Sequence, residues 1–223
     1  MTLEKAIVFF TLFGVAVSSY ASYITLDEAA LDDIYSQPSF GDMPIDIRIE
    51  EAHEIVAPDL LDITTRDQVS QLFGMHTGSL LTVNFYYIDT ISICGSTVST
   101  SIVGCGEYFG NDFVVESNFA DSFYGSELLA HELGHNLGLP HIFGQYLMNP
   151  SLNNNTTITE AEVARIRQSP LVQSFDGLYW INIKPVLIVK ELVNVTEPKT
   201  WLLFFIMVIA VVSGHRRSKL VLN

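Results

Sequence analysis

The sequence predicts an α+β domain, because segments with strand periodicity alternate with segments of helical periodicity. Residues 44–56 alternate isoleucines with charged residues, which is typical of a strand with one face in water. Residues 79–89 form a dense apolar and aromatic run, which indicates a strand at the centre of a sheet. Between them, residues 63–75 carry apolar side chains at helical spacing. These three segments predict a strand–helix–strand unit.

The remaining elements follow from the same periodicities and from capping residues. The helix within 63–75 is expected to begin at a threonine cap and to end near Gly74. Thr159 and Glu162 have the three-residue spacing of a capping box. The other predicted elements are a helix in 24–37, a strand in 111–117, a helix over 127–138 capped by Ser126, and a helix in 159–173.

The most specific feature of the sequence is the stretch His131–His141, which reads HELGHNLGLPH. Its first two histidines are four residues apart, so a helix would place them on one face, one turn apart. Gly138 is predicted to end that helix, because glycine enters the left-handed conformation at little cost. The chain can then turn and bring His141 back as a third nitrogen ligand. Three protein ligands leave a coordination position open, which is typical of a catalytic zinc site.

The pattern H-E-x-x-H-x-x-G-x-x-H resembles the signature of the metzincin clan of zinc metallopeptidases. The resemblance implies that His131, His135 and His141 bind Zn²⁺ and that Glu132 is the general base. It also implies that Met148, in the segment YLMNP, forms a methionine turn beneath the metal.

The resemblance covers about residues 44–172 and implies a fold as well as a site. That fold is a twisted mixed sheet with backing helices, a zinc-binding active-site helix, a methionine turn and a C-terminal helix. The chain looks like the matrixin and reprolysin members, but seven residues lead from His141 to Met148 and Ile142 follows the third histidine. These departures leave the branch open. The specificity pocket is expected at residues 143–146 and 150–154.

The two cysteines, Cys94 and Cys105, are eleven residues apart. In an exported protein such a pair implies a disulfide, and two reduced buried thiols are the alternative. By resemblance to the clan, the sheet edge that lines the cleft binds substrate backbone as an added strand. The segment Ser96–Val103 is interpreted either as that edge or as an ordinary disulfide-bounded loop.

The two ends of the chain are interpreted as targeting segments. Lys5, the apolar run 6–17 and the small residues before position 22 indicate a secretory signal peptide. The apolar run 201–214 is followed by a basic cluster. This layout resembles a PEP-CTERM tail, which membrane sorting enzymes recognise, and a plain one-span anchor is the alternative. The predicted organisation is a signal peptide (1–21), an N-terminal segment that is a candidate pro-segment (22–43), a catalytic domain (44–175), a stalk or domain extension (176–198) and a C-terminal sorting or anchor segment (199–223).

The net charge of the chain indicates which classes of partner it can bind. The net charge is −14, and residues 22–198 contain 24 acidic against 6 basic side chains. Such a surface repels nucleic acid and anionic membranes, so the predicted partner is a protein or peptide substrate. The sequence therefore predicts a monomeric zinc endopeptidase that is exported to the bacterial cell surface or beyond. The alternative is a non-catalytic, zinc-containing surface binding domain of the same fold.

Overall fold

The computed structural model describes residues 26–191. The predicted signal peptide and the C-terminal sorting or anchor segment lie outside these residues. Within the described part of the chain, no helix has the length and apolar character needed to cross a membrane.

Short helices and a larger set of strands make up the described chain. The helices are α1 (Glu28–Tyr35), α2 (Arg66–Phe73), α3 (Ser117–Ala120), α4 (Gly125–Asn136) and α5 (Glu160–Ile166), with 3₁₀ turns at Pro38–Phe40 and Pro58–Leu60. The strands are β1 (Ile45–Ile49), β2 (His53–Val56), β3 (Asp62–Ile63), β4 (Thr82–Ile88), β5 (Thr90–Ile91), β6 (Ile93–Cys94), β7 (Thr97–Val98), β8 (Gly104–Gly106), β9 (Asp112–Glu116), β10 (Gln173–Phe175) and β11 (Leu178–Val189).

Most of the strands form one mixed sheet in the order β1-β11-β4-β9-β8. Strands β1 and β2 pair with successive halves of β11, and β10 forms a hairpin with the start of β11. Strands β1, β11, β4 and β9 run parallel, whereas β8 pairs antiparallel with β9. A mixed sheet with few helices agrees with the predicted α+β class.

Strand β4 lies in the interior of the sheet, as its composition predicts. Every residue of the strand is buried. Val83 and Phe85 belong to the larger apolar cluster, which includes the leucines of α4. Tyr86 and Ile88 belong to the second cluster on the opposite face. The sheet is therefore covered on both faces, which explains why the run 79–89 shows no alternation between apolar and polar residues.

The predicted helix caps are confirmed at two helices and wrong at a third. Thr65 caps α2 with its side chain and completes a capping box. Thr159 and Glu162 form the capping box of α5. Ser126 does not cap α4, because that helix already starts at residue 125, and its N-cap Tyr124 makes no side-chain capping bond.

Strand β11 shows that the boundary predicted at residue 175 is too early. The strand lies between β1 and β4, and its residues Ile181 and Ile183 are fully buried. Residues 178–189 therefore form the middle of the sheet and are an extension of the domain rather than a stalk. Their apolar alternation indicates a strand, but long-range pairing decides its position.

The N-terminal side of the domain also begins before residue 44. Leu31, Tyr35 and Phe40 are fully buried in the larger apolar cluster. The Tyr35 hydroxyl donates a hydrogen bond of 2.8 Å to the carbonyl of Ala130 on α4. Residues 31–40 therefore contribute to the core of the intact chain, and the removal of 22–43 as a pro-segment stays a prediction.

Candidate metal centre

Helix α4 presents the first two histidines of the motif on one side. Leu128, Leu129 and Leu133 anchor the helix in the core and are at most 3% exposed. The rings of His131 and His135 lie one turn apart, with centroids separated by 4.9 Å. Because the buried leucines fix the rotation of the helix, both imidazoles are held in the same direction.

The helix ends at the predicted glycine. The amide of Gly138 donates to the carbonyl of His135, and the amide of Leu139 donates to the carbonyl of Gly134, each at 2.9 Å. This pair of bonds is the Schellman motif, and it requires the positive φ of +85° seen at Gly138. A β-carbon there would also lie only 2.6 Å from the ring of Phe109. Glycine is therefore needed for both the turn and the close packing.

The turn brings His141 back to the other two histidines. Its Nε2 lies 3.3 Å from Nε2 of His131 and 3.1 Å from Nε2 of His135. Two nitrogens on one tetrahedral zinc, each at about 2.0–2.1 Å, are themselves about 3.3 Å apart. One ligand atom from each histidine lies within 4.8 Å of the others. The three side chains therefore fit a single small cation, in agreement with the predicted metal-binding set.

The second nitrogens of the helical histidines are tied to backbone carbonyls. Nδ1 of His131 donates to the carbonyl of Leu147 at 2.7 Å, and Nδ1 of His135 donates to the carbonyl of Leu139 at 2.9 Å. A carbonyl oxygen can only accept, so the Nδ1 atoms must carry the protons. The lone pairs on Nε2 are then directed at the centre of the cluster and are available to a metal.

Burial keeps these imidazoles neutral. Burial is the main cause that lowers the pKa of His131 to about 4; the neighbouring histidines act in the same direction, and the Leu147 carbonyl opposes the shift. Burial also lowers the pKa values of His135 and His141. Neutral imidazole is the form that binds metal ions, so the site is prepared for a cation near neutral pH.

We expect His131 in the metal-free protein to stay neutral down to about pH 5, whereas an unperturbed histidine titrates near 6.5. The reason is that the buried ring loses the hydration that would stabilise its charged form. Long-range ¹H–¹⁵N NMR of the metal-free protein between pH 8 and pH 4 measures this titration directly. A midpoint for His131 at or above about 6.5 would contradict the prediction.

Glu132 lies against the edge strand β8. A β-carbon on Gly104 would lie 2.8 Å from the carboxyl carbon of Glu132. A β-carbon on Gly106 would lie 3.0 Å from the carbonyl of Glu132 and 3.1 Å from Cβ of His135. The strand can approach the helix this closely only because both positions are glycine.

Burial raises the pKa of the Glu132 carboxyl group to about 8, and the backbone amide of Gly106 opposes this shift. The buried Oε2 atom has no hydrogen-bond partner among the described residues. A cation held by the three histidines would lower the pKa again. The carboxyl group therefore holds its proton more tightly in the metal-free site than it would beside a bound cation.

The segment Ser96–Val103, which is interpreted above either as the sheet edge or as a disulfide-bounded loop, is not the edge of the main sheet. It contains β7, which pairs with β6 in a separate two-stranded hairpin. The edge of the main sheet is Gly104–Gly106 instead. The predicted disulfide is present, and because Cys105 is the middle residue of β8, it ties the hairpin to the edge strand beside Glu132.

Met148 is fully buried beneath α4. A β-carbon on Gly134, which lies between the two helical histidines in sequence, would collide with the sulfur of Met148. The amide of Ile142 donates to the carbonyl of Met148 at 2.9 Å and closes the short loop that follows His141. The methionine therefore packs under the part of the helix that carries the histidines.

Several residues that shape the site are not identified by sequence analysis. They are Gly104, Gly106 and Gly134, which permit close packing, and Leu139 and Leu147, which act through their carbonyl groups. A glycine inside a helical pattern is a signal of close approach, so Gly134 could have been found. Leu139 and Leu147 act through their backbone carbonyls, so their side chains give no indication of this role in the sequence.

Replacement of His141 by alanine should weaken zinc binding by more than about 100-fold, because even loss of a residue that only orients a ligand costs 10–100-fold. Isothermal titration with zinc measures the affinity of the metal-free protein. The matched control is His53→Ala, which removes an exposed histidine outside the cluster. An unchanged affinity in His141→Ala would remove this residue from the site.

No protein-family model matches the chain, and no curated protein matches it. The likeness to metzincins therefore rests on the motif within residues 131–148 and on the histidine cluster, whose geometry is compatible with that motif.

Proposed function

We propose that the protein is a zinc-dependent endopeptidase. The observation that carries the proposal is the position of Glu132, whose carboxyl group is buried between the glycines of β8 and the helix turn that bears two of the three histidines. Metal-assisted hydrolysis of an amide needs a metal and a base next to the same bond, and these residues supply the ligands and the base.

The donor set supports zinc as the metal. Three neutral imidazoles suit zinc and several other divalent transition metals, and three protein ligands are the usual number at a catalytic zinc. When bound, zinc would polarise the scissile carbonyl and make water more acidic.

The chain's own residues would supply the proton transfers and the orientation. Glu132 takes a proton from the attacking water and then donates it to the leaving amine. Burial raises the pKa of this carboxyl group in the metal-free protein, and a bound cation would lower it toward the range of a general base. The carbonyls of Leu139 and Leu147 hold two imidazoles in place during both steps.

The edge strand supports an extended peptide as the substrate. Strand β8 is the last strand in the order of the main sheet and pairs only with β9 in the described chain. A peptide can therefore add to its other edge through backbone hydrogen bonds. Such pairing would bring a peptide bond alongside Glu132, because the glycines of β8 touch that side chain.

We also propose that the protein acts outside the cytoplasm as a monomer. The disulfide between Cys94 and Cys105 supports an oxidising compartment. The predicted N-terminal signal peptide and the predicted C-terminal sorting or anchor segment support export and retention at the bacterial envelope, with a membrane sorting enzyme as a further partner.

Digestion of a broad peptide library by the zinc-loaded protein tests the proposed activity. We expect internal peptide bonds to be cut, and we expect a chelator to stop cleavage and added zinc to restore it. The same digest with Glu132→Gln controls for contaminating proteases. A zinc-loaded protein that cuts no peptide would favour the non-catalytic binding domain.

A further inference from the structure

Glu127 is a buried carboxylate in the first turn of α4 that plays no part in the chemistry described above. It lies four residues before His131, and only 6% of it is exposed. A buried carboxylate needs strong partners, because its desolvation is costly. Its partners lie in the loop that follows Met148.

Both oxygens of Glu127 accept hydrogen bonds from consecutive backbone amides. Oε1 accepts from the amide of Asn153 at 2.8 Å, and Oε2 accepts from the amide of Asn154 at 2.9 Å. Asn154 has a φ of +58°, a conformation that asparagine tolerates better than most residues. Two successive amides directed at one carboxylate form a backbone nest, with charge-assisted bonds.

Asparagine side chains extend this contact to the loop between His141 and Met148. Nδ2 of Asn153 donates to the carbonyl of Gly144 at 2.9 Å. The amide of Gly144 donates to Oδ1 of Asn149 at 3.2 Å, and Nδ2 of Asn149 donates to the carbonyl of Ser151 at 2.6 Å. We call residues 142–155 the tethered loop.

The tethered loop borders the histidine cluster at two points. It begins directly after His141, and it contains Leu147, whose carbonyl orients His131. It also carries Phe143, which is 85% exposed. In the described chain no helix or strand lies between α4 and α5, so the loop's shape depends on individual hydrogen bonds.

We propose that Glu127 is a positioning residue that fixes the tethered loop on α4 and thereby sets the substrate preference of the site. The inference rests on the proposed peptidase function. The carboxylate that holds the loop is fixed relative to the histidine cluster, because Glu127 and His131 share one helix. The shape of the loop beside the ligands is therefore set by the helix that carries them, and the side chains on the loop decide which substrate residues fit.

The first test replaces Glu127 with glutamine, which keeps the size but puts an NH₂ group where one backbone amide needs an acceptor. We expect kcat/KM for the best library peptide to fall about tenfold, mostly through KM, and the cleavage-site preference to broaden. Bound zinc should stay at one per chain. The matched control is Glu160→Gln, which changes an exposed glutamate in the first turn of α5 and should alter none of these quantities.

A second variant, Asn153→Ala, removes the bond to Gly144 but keeps the backbone amide that binds Glu127. It should also broaden the cleavage-site preference. Together the two changes should have less than additive effects, because both act through one network. This variant also keeps the inference testable if Glu127→Gln fails to fold.

Hydrogen exchange supplies a readout that does not depend on catalysis. In Glu127→Gln, amides of residues 142–155 should exchange faster while those of β4 and α4 stay protected. Unchanged loop exchange, or an unchanged cleavage preference in an active enzyme, would overturn the inference. If the zinc-loaded parent cuts no peptide, the proposed function fails, and the exchange rates still decide whether Glu127 holds the loop.

Discussion

Replacing Glu132 with glutamine should lower kcat/KM for a peptide substrate by about 10²–10⁴-fold while the protein still binds one zinc ion. Glutamine has nearly the same shape but cannot accept the proton of the attacking water. The histidine ligands are not altered, so zinc affinity should remain close to that of the parent. Steady-state kinetics on a library-derived peptide and metal analysis of the same sample measure both quantities. A variant that cleaves at the parent rate would show that Glu132 is not the base.

The same variant should be more stable than the parent in the metal-free state at high pH. The pKa of Glu132 is raised from 4.5 to about 8 in the folded protein, so the folded state binds the proton more tightly than the unfolded state. Parent stability therefore falls as pH rises from about 4.5 to about 8. Glutamine does not ionise, so the variant does not lose this stability. Its melting temperature should be higher than that of the parent at pH 9, and the two melting temperatures should coincide near pH 4. Identical melts at pH 9 would argue against a buried carboxyl group.

Placing aspartate at position 183 should unfold the protein. Ile183 is fully buried on β11, where its register partners are Ile49 on β1 and Val83 on β4. An unpaired charge in the core costs more than about 4 kcal/mol, out of a total stability of about 5–15 kcal/mol for a domain. Circular dichroism melts of the full chain should show no cooperative transition, and the zinc site should be lost with the fold.

The control for this prediction is Lys190→Asp, which places the same aspartate side chain at an exposed residue just beyond β11. It should melt close to the parent, since surface substitutions usually change stability by less than about 0.5 kcal/mol. If Ile183→Asp also melted like the parent, β11 would not occupy the centre of the sheet.

Much of the local structure follows from the sequence, because periodicity and capping are short-range properties. The alternation in β1 is visible in its buried Ile45 and Ile47 and its exposed Asp46 and Arg48. The capping box of Thr159 and Glu162 lies where its residue types predict. The histidine cluster is also predictable, since a helix and one glycine turn are enough to bring its three members together.

Long-range pairing is what the sequence does not reveal. Nothing in residues 178–189 says that they insert between β1 and β4, because many apolar strands would satisfy the same alternation. The edge strand is missed for a related reason. Its glycines are poor strand formers. The reason for glycine at these positions is the close packing of α4 against them, which the sequence does not show.

Strand β11 lies at the centre of the sheet but is translated late. The time at which the site can become active therefore depends on when β11 is synthesised. The last histidine ligand, His141, is translated about fifty residues before β11 is complete. Strands β1 and β4 make no direct pairing with each other, and the strand that joins them is the last one described in the chain. Closure of such distant contacts is slow, since a long loop must be ordered first. A chain that crosses a membrane unfolded would therefore assemble its metal site only after nearly all of the domain had passed through.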